Sequence, residues 1–253
     1  MTFNLRAPLA LKRLWLRLTR RHRVVAVAAD KPDLFLSQRF SWMQRAFFSG
    51  WPQEPKTGDR GPVRDALAEI VDAASGLEYS REQLHRVIAV AQNEFDAVRQ
   101  TTPDLGRADS WGGRNTPAVY YEFYNAVVWT RAVKDRYSDR LHPSVKHDPA
   151  LWTRVQKIRT STDAVFEDAR LLAQCSLHKY TPPYTLAGPK EGEGGKLIYL
   201  VPRIIDPNDF RANLSTLSDA RNVVSIVAAF WSAVTEFVDA LLDVFYPANE
   251  RSS

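Results

Sequence analysis

Apolar residues recur along most of this chain at the three- and four-residue spacing that lines one face of a helix. From Pro62 to about Ser75, Leu67, Ile70, Val71 and Ala74 fall on one side, and Gly76 reads as a stop. Ser80 and Gln83 then make an S-x-x-Q capping box for a second helix to about Arg99. Its core stripe is Leu84, Val87, Ile88, Val90, Ala91 and Phe95. Thr116 caps a third helix, with Pro117 at its first position, running to about Ser138. Val119, Tyr120, Phe123, Tyr124, Val127, Val128, Trp129 and Val133 make that helix apolar nearly all round, which places it in the middle of a bundle. Pro143 interrupts the chain, and Asp148-Pro149 starts a fourth helix by the same cap-and-proline chemistry. Its stripe is Leu151, Val155, Ile158, Thr162, Val165, Phe166, Ala169 and Leu172. Residues 217–245 carry the clearest pattern of all. There Val223, Val227, Phe230, Val234, Phe237, Leu241 and Phe245 repeat at alternating fours and threes, and Glu236, Asp239 and Asp243 stay wet.

Between these runs the chemistry changes. Residues 52–62 and 101–115 are rich in Pro, Gly and charge and read as linker and loop. Residues 180–195 hold too much Pro and Gly for a helix, and Lys196 to Pro202 is the one convincing strand, with Tyr184-Thr185-Leu186 as a hairpin partner. The expected fold is mainly α: a helical bundle of about five long helices with a small β-hairpin insertion before the last. Its parts are a basic amphipathic arm (1–29), an aromatic-rich segment and linker (30–61) and a helical bundle domain (62–248). With 253 residues, 45% of them hydrophobic and 25% charged, the chain has the make-up of an ordinary soluble globular protein with a sizeable core.

The net charge of +5 conceals a division. Seven of the 34 Lys and Arg lie in residues 1–23, with no acid before Asp30, which leaves 27 basic against 29 acidic residues, a formal −2, elsewhere. The body therefore has no excess of positive charge to hold a phosphate backbone. In the arm, Leu11, Leu14, Trp15 and Leu18 form one stripe, while Lys12, Arg13, Arg17, Arg20, Arg21 and Arg23 supply the cations. Such a helix packs on its own domain with its arginines in water, lies on an anionic membrane surface, or binds nucleic acid (RNA included) or a protein partner. Arg20-Arg21 and Ala26-Val27-Ala28 hint at an export signal, but the apolar run from Val24 to Ala29 falls short of the roughly 7–15 residues one needs. A single cysteine excludes an intramolecular disulfide framework and fits a reducing compartment, so the cytoplasm is the expected location.

Phosphate-binding glycine loops, a G-x-S-x-G elbow and H-E-x-x-H are all missing from the sequence, so no cofactor is expected. Cys175 and Ser176 lie near His178, but nothing in the sequence activates either, and a free Cys is usually a small buried hydrophobe. His142, His147 and Asp148 could supply two imidazoles and a carboxylate; Asp148 is already accounted for as a helix cap, and no metal site is expected. Arg131 follows Tyr120, Tyr124 and Val127 on one helix face, a pattern that stacks nucleobases or, in the commoner case, snorkels or meets an acid.

Two Arg-to-His spacings remain: Arg140-x6-His147 and Arg170-x7-His178. The bundle layout, with the stretch Asp168 to His178 ahead of a variable loop and a final long helix, resembles HEPN-type helical domains over residues 62–246. Members often carry Arg-x(4–6)-His, and the catalytic ones cleave RNA without metal, usually as dimers. For this chain the resemblance implies a homodimer or a protein partner and, if it is catalytic, a metal-independent ribonuclease. Arg170 and His178 would be its pair, with Arg140 and His147 as second choice. In such a site His exchanges the proton of the ribose 2′-OH and Arg holds the phosphate. The motif departs from the family in one respect: Leu171 and Leu141 stand where active members place a polar residue. Arg221-Asn222 has the polar follower but no histidine within reach. Arg170 could equally pack its stem beside the core and pair with Asp168 or Glu167. A full fold pattern beside a degenerate motif leads to the expectation of a non-enzymatic protein that acts by association.

Overall fold

A computed structural model describes residues 61–102, 113, 115–178, 189–206, 208 and 217–245. Its helices are α1 (Gly61–Thr101), α2 (Thr116–Arg136), α3 (His142–Val145), α4 (Pro149–His178) and α5 (Val223–Phe245), and its strands are β1 (Pro189–Glu191), β2 (Leu197–Val201) and β3 (Arg221–Asn222). The protein is thus a mainly α bundle with a small antiparallel sheet ahead of the last helix, as the hydrophobic pattern requires.

The first departure concerns Gly76. Instead of two helices separated at that glycine, α1 runs unbroken for 41 residues. A helix interior tolerates one glycine at a cost of about 1 kcal/mol, and here the bare Cα has a use. A Cβ built on it would lie 2.4–2.8 Å from atoms of the Trp129 ring, so the glycine lets α2 close onto α1. Ser80, expected at a helix start, is buried in the middle of α1.

Pro143 also fails to break the chain. After α2 the backbone widens into a π-helical turn, Tyr137–Leu141, and α3 follows directly with the proline in its first turn. Its missing N–H falls where the helical ladder has already widened: the His142 N–H just before it bonds back five residues, to the Tyr137 carbonyl. The reversal comes later, before Asp148, whose Oδ1 accepts hydrogen bonds from the N–H groups of Ala150 and Leu151, both at 3.0 Å. Asp148 and Pro149 therefore start α4 as expected. At α2, by contrast, Asn115 rather than Thr116 occupies the cap position, and neither side chain caps the helix.

Helix α5 packs against α1, α2 and α4, and ten of its residues are buried. It is long and apolar enough to cross a membrane by length and composition. It begins at Val223 rather than 217, because Leu217–Asp219 forms a 3-10 turn and Arg221–Asn222 joins the sheet as β3. Asn222 then caps α5 by accepting from the Val224 N–H at 2.9 Å. At the centre, Phe237 meets the rings of Tyr137 and Phe166 edge-on, each at 5.2 Å. Such contacts add directional attraction to simple burial. Of the expected core stripe on α1, Leu84, Ala91 and Phe95 are buried, whereas Val90 is 50% exposed.

The sheet order is β1-β2-β3, with Pro189 opposite Tyr199 and Val201 opposite Arg221. The hairpin partner of β2 is Pro189–Glu191; Tyr184–Leu186 lies outside the described residues. Leu197, Tyr199 and Val201 alternate inward and lie on the bundle. Gly194 and Gly195 turn the hairpin with φ of 70° and 76°, a backbone that glycine adopts at no steric cost. Tyr120 ties sheet to bundle by donating its hydroxyl to the Leu200 carbonyl at 3.0 Å.

Candidate functional site

Two of the side chains singled out in the sequence, Arg131 and Arg170, meet across one groove. It runs between α2 and α4, has a volume of about 450 Å³ and has Phe166 in its lining. From α2 it receives Arg131, Lys134 and Asp135; from α4, Asp163, Glu167 and Arg170. Helical spacing explains the convergence, because residues three or four apart share a face. Three cations and three carboxylates leave the groove formally neutral.

Every one of those cations is answered by a carboxylate of the groove itself. Arg131 Nε lies 3.2 Å from Asp135 Oδ2, one turn along its own helix. Lys134 Nζ bonds Asp163 across the groove and sits 5.3 Å above the Phe166 ring. Arg170 donates Nε to Glu167 Oε2 at 2.7 Å, Nη2 to the same carboxylate, and Nη1 to Gln174 Oε1 at 2.6 Å. The hydrogen bonds from Arg170 hold the Glu167 carboxyl below its ordinary range, against a smaller opposing effect of desolvation. The same bonds raise Arg170. Of the two carboxylates that the sequence offered Arg170, it takes Glu167.

Along α2 the groove opens onto a strip that is neither polar nor covered. Tyr121 is 62% exposed and Val128 39%, one full heptad apart, with Tyr124 half-buried between them. Burial raises the Tyr124 phenol and the charge of Arg131 opposes that rise, which puts Tyr124 within electrostatic reach of the groove. A helix apolar on nearly all faces does touch α1, α4 and α5, but it keeps this strip outside. Tyr120, expected on the same row, is buried beside Tyr199, with ring centroids 5.8 Å apart.

Arg170 and His178 belong to one uninterrupted helix. Eight helical steps separate them by about 12 Å along the axis and some 80° around it. The His178 side chain, like those of Cys175 and Ser176, lies outside the described residues. Arg140 stands on the π-helical turn with Nη2 3.2 Å from Glu69 Oε1, while His147 is exposed in the turn before α4. His142 lies against Trp152 with ring centroids 4.0 Å apart and the rings tilted by 40°, and accepts from Gln156 Nε2 at 2.7 Å. Among the described residues no three His, Cys, Asp or Glu side chains gather as a metal site would require. Lys12, Arg13, Arg17, Arg20, Arg21 and Arg23 lie outside the described residues.

One charged contact escaped the sequence reading. Arg221 forms a two-pronged bridge to Asp168, Nη1 to Oδ2 at 2.7 Å and Nη2 to Oδ1 at 2.9 Å, fastening the start of α5 to α4. Its partners are 53 residues apart, and no local pattern joins them. No family model matches the chain, and no curated protein or solved structure matches it either.

Proposed function

We propose that this protein is a non-enzymatic helical bundle of the HEPN-like kind, working in the cytoplasm by association, with a second copy of itself in the first place or with another protein. The observation that carries this reading is the strip Tyr121, Tyr124 and Val128 running into Arg131 and the α2–α4 groove. Tyr and Arg are the residue types enriched where protein interfaces concentrate their binding energy. A neutral groove of interleaved signs suits a second copy, because a two-fold contact pairs a patch with itself and each charge finds an opposite.

The same pairing argues against phosphate chemistry at Arg170. To hold a phosphate, its guanidinium must first give up the two bonds to Glu167. The ribonuclease reading, with Arg170 and His178 or with Arg140 and His147, is therefore the rival that experiment must exclude. Sedimentation of the purified protein over a range of concentrations tests the proposal. Dimers are expected, and the double variant Tyr121→Asp, Val128→Asp should sediment as a monomer with an unchanged circular dichroism spectrum. Association unaffected by that variant would move the interface elsewhere. Incubation with single-stranded and structured RNA in EDTA should leave the RNA intact; cleavage abolished by His178→Ala would overturn the non-enzymatic reading.

A further inference from the structure

Helix α2 carries two rows of side chains at the four-and-three spacing of a seam between helices, set back to back. The inward row, Val119, Phe123, Ala126, Thr130, Val133 and then Tyr137 of the π-helical turn, is buried throughout. Two residues out of phase, and so about 200° around the axis, runs the second: Pro117, Tyr121, Tyr124, Val128, Arg131 and Asp135. Tyr124 and Arg131 are half-buried there, and the other four are exposed. A helix with one covered face needs only the first row. Its wet face is ordinarily polar, as Thr153, Arg154, Lys157 and Glu167 are on α4. Val128, Arg131, Asp135 and the small Ala132 instead frame a four-residue hole of the kind that a knob from a neighbouring helix fills. At its other end α2 starts unaided. Neither Asn115 nor Thr116 caps it, its first turn holds no acid, and Thr116 Oγ1 is buried with no hydrogen-bond partner among the described residues.

We propose that α2 packs antiparallel against α2 of a second copy, with Tyr121 over the partner's Arg131, Tyr124 against the partner's Val128 and Pro117 against the partner's Asp135. This arrangement rests on the self-association read above from Tyr121 and Val128, and fixes its register. Pro117 and Asp135 lie nine residues either side of position 126, Tyr121 and Arg131 five, Tyr124 and Val128 two, so one two-fold axis produces all three pairs. Charge decides the direction. In a parallel pair Arg131 would face Arg131 and Asp135 would face Asp135, like charges in contact. Antiparallel, the Arg131 guanidinium meets the face of a tyrosine that is 62% exposed in the single chain, a cation–π contact. Asp135 comes to the positive end of the partner's α2, which has no acid of its own in its first turn. Arg131 keeps its own Asp135, one turn away, throughout. The α2–α4 groove shares Arg131 and Asp135 with the row, so the partner helix covers its edge.

Disulfide cross-linking of cysteine variants of the full chain reads the register. Chains with Pro117→Cys and with Asp135→Cys are mixed at a concentration where sedimentation shows dimers, then mildly oxidised. The parent chain, whose one cysteine is Cys175, gives the background. The mixture should form covalent dimers holding one chain of each kind, at least about tenfold above either variant alone. Like positions stand about 27 Å apart along the seam, whereas a disulfide joins Cα atoms about 4.4–6.8 Å apart. Tyr121→Cys mixed with Arg131→Cys should behave alike, its like positions about 15 Å apart, and replaces the first pair if circular dichroism shows one of those variants unfolded. Self-linking of each variant as strong as the mixture would overturn the antiparallel seam. Dimers in sedimentation without a mixed product from either pair would also overturn it, and would leave self-association standing. A wild type that stays monomeric at every concentration would overturn both.

Discussion

Replacing Gly76 by alanine sets a local preference directly against a tertiary contact. By helix propensity alone, alanine in the interior of α1 should stabilise the protein by about 1 kcal/mol. Packing predicts the reverse. The added methyl would stand 2.4 Å from Trp129 Cδ2, 2.5 Å from Cε2 and 2.8 Å from Cε3, each far inside van der Waals contact. Relieving that overlap requires the ring, or α2 with it, to withdraw by about 1 Å from a half-buried seat. Overpacking of this kind costs about 1–3 kcal/mol, so the propensity gain is offset and a net loss of about 1 kcal/mol is expected. Urea unfolding reads it as a lower midpoint at unchanged slope. A double variant, Gly76→Ala with Trp129→Leu, should lose less than the two single losses combined, because the leucine vacates the space that the methyl needs. A higher midpoint for Gly76→Ala alone would refute the argument and return Gly76 to the status of a tolerated helix glycine.

Two further outcomes follow from contacts that join distant parts of the chain. Asp168→Asn should cost about 1–2 kcal/mol in urea unfolding, since a partly buried, two-pronged bridge to Arg221 is lost. Exchange at β3 should quicken with it. Tyr120→Phe should cost about 1 kcal/mol by leaving the Leu200 carbonyl without its donor. Burial raises the Tyr120 phenol, the nearby Tyr199 adds to that rise, and the bond to Leu200 opposes it. The folded state thus keeps a proton that the unfolded chain gives up near pH 10, about the ordinary tyrosine value. Stability from this group is complete below that pH and declines as pH climbs above it. Urea midpoints at about pH 9 and about pH 11 should fall further apart in the wild type than in Tyr120→Phe.

How much of this was legible beforehand varies with the range of the interaction. The heptad-like repeat of Val223 to Leu241 and the Asp148-Pro149 start are local, and both were readable because a helix brings residues three and four apart together whatever surrounds it. The candidate groove was half legible. Arg131 and Arg170 stood out as cations beside apolar stripes, but their meeting across α2 and α4 depends on how two helices pack. The strip at Tyr121 and Val128 was hidden for the opposite reason: an apolar helix face looks the same in sequence whether a neighbour covers it or not.

The sequence by itself therefore determined that the bundle is helical, where α4 starts, which faces carry apolar residues and that basic charge gathers in the first 23 residues. Tertiary structure alone decided that Gly76 admits a tryptophan instead of ending a helix, that Pro143 rides in a first turn after a widened one, and that Arg221 reaches Asp168. Propensities of about 1 kcal/mol per residue are small beside the burial of a ring the size of Trp129. Where the two conflict, packing prevails, and packing is set by neighbours that lie far along the chain.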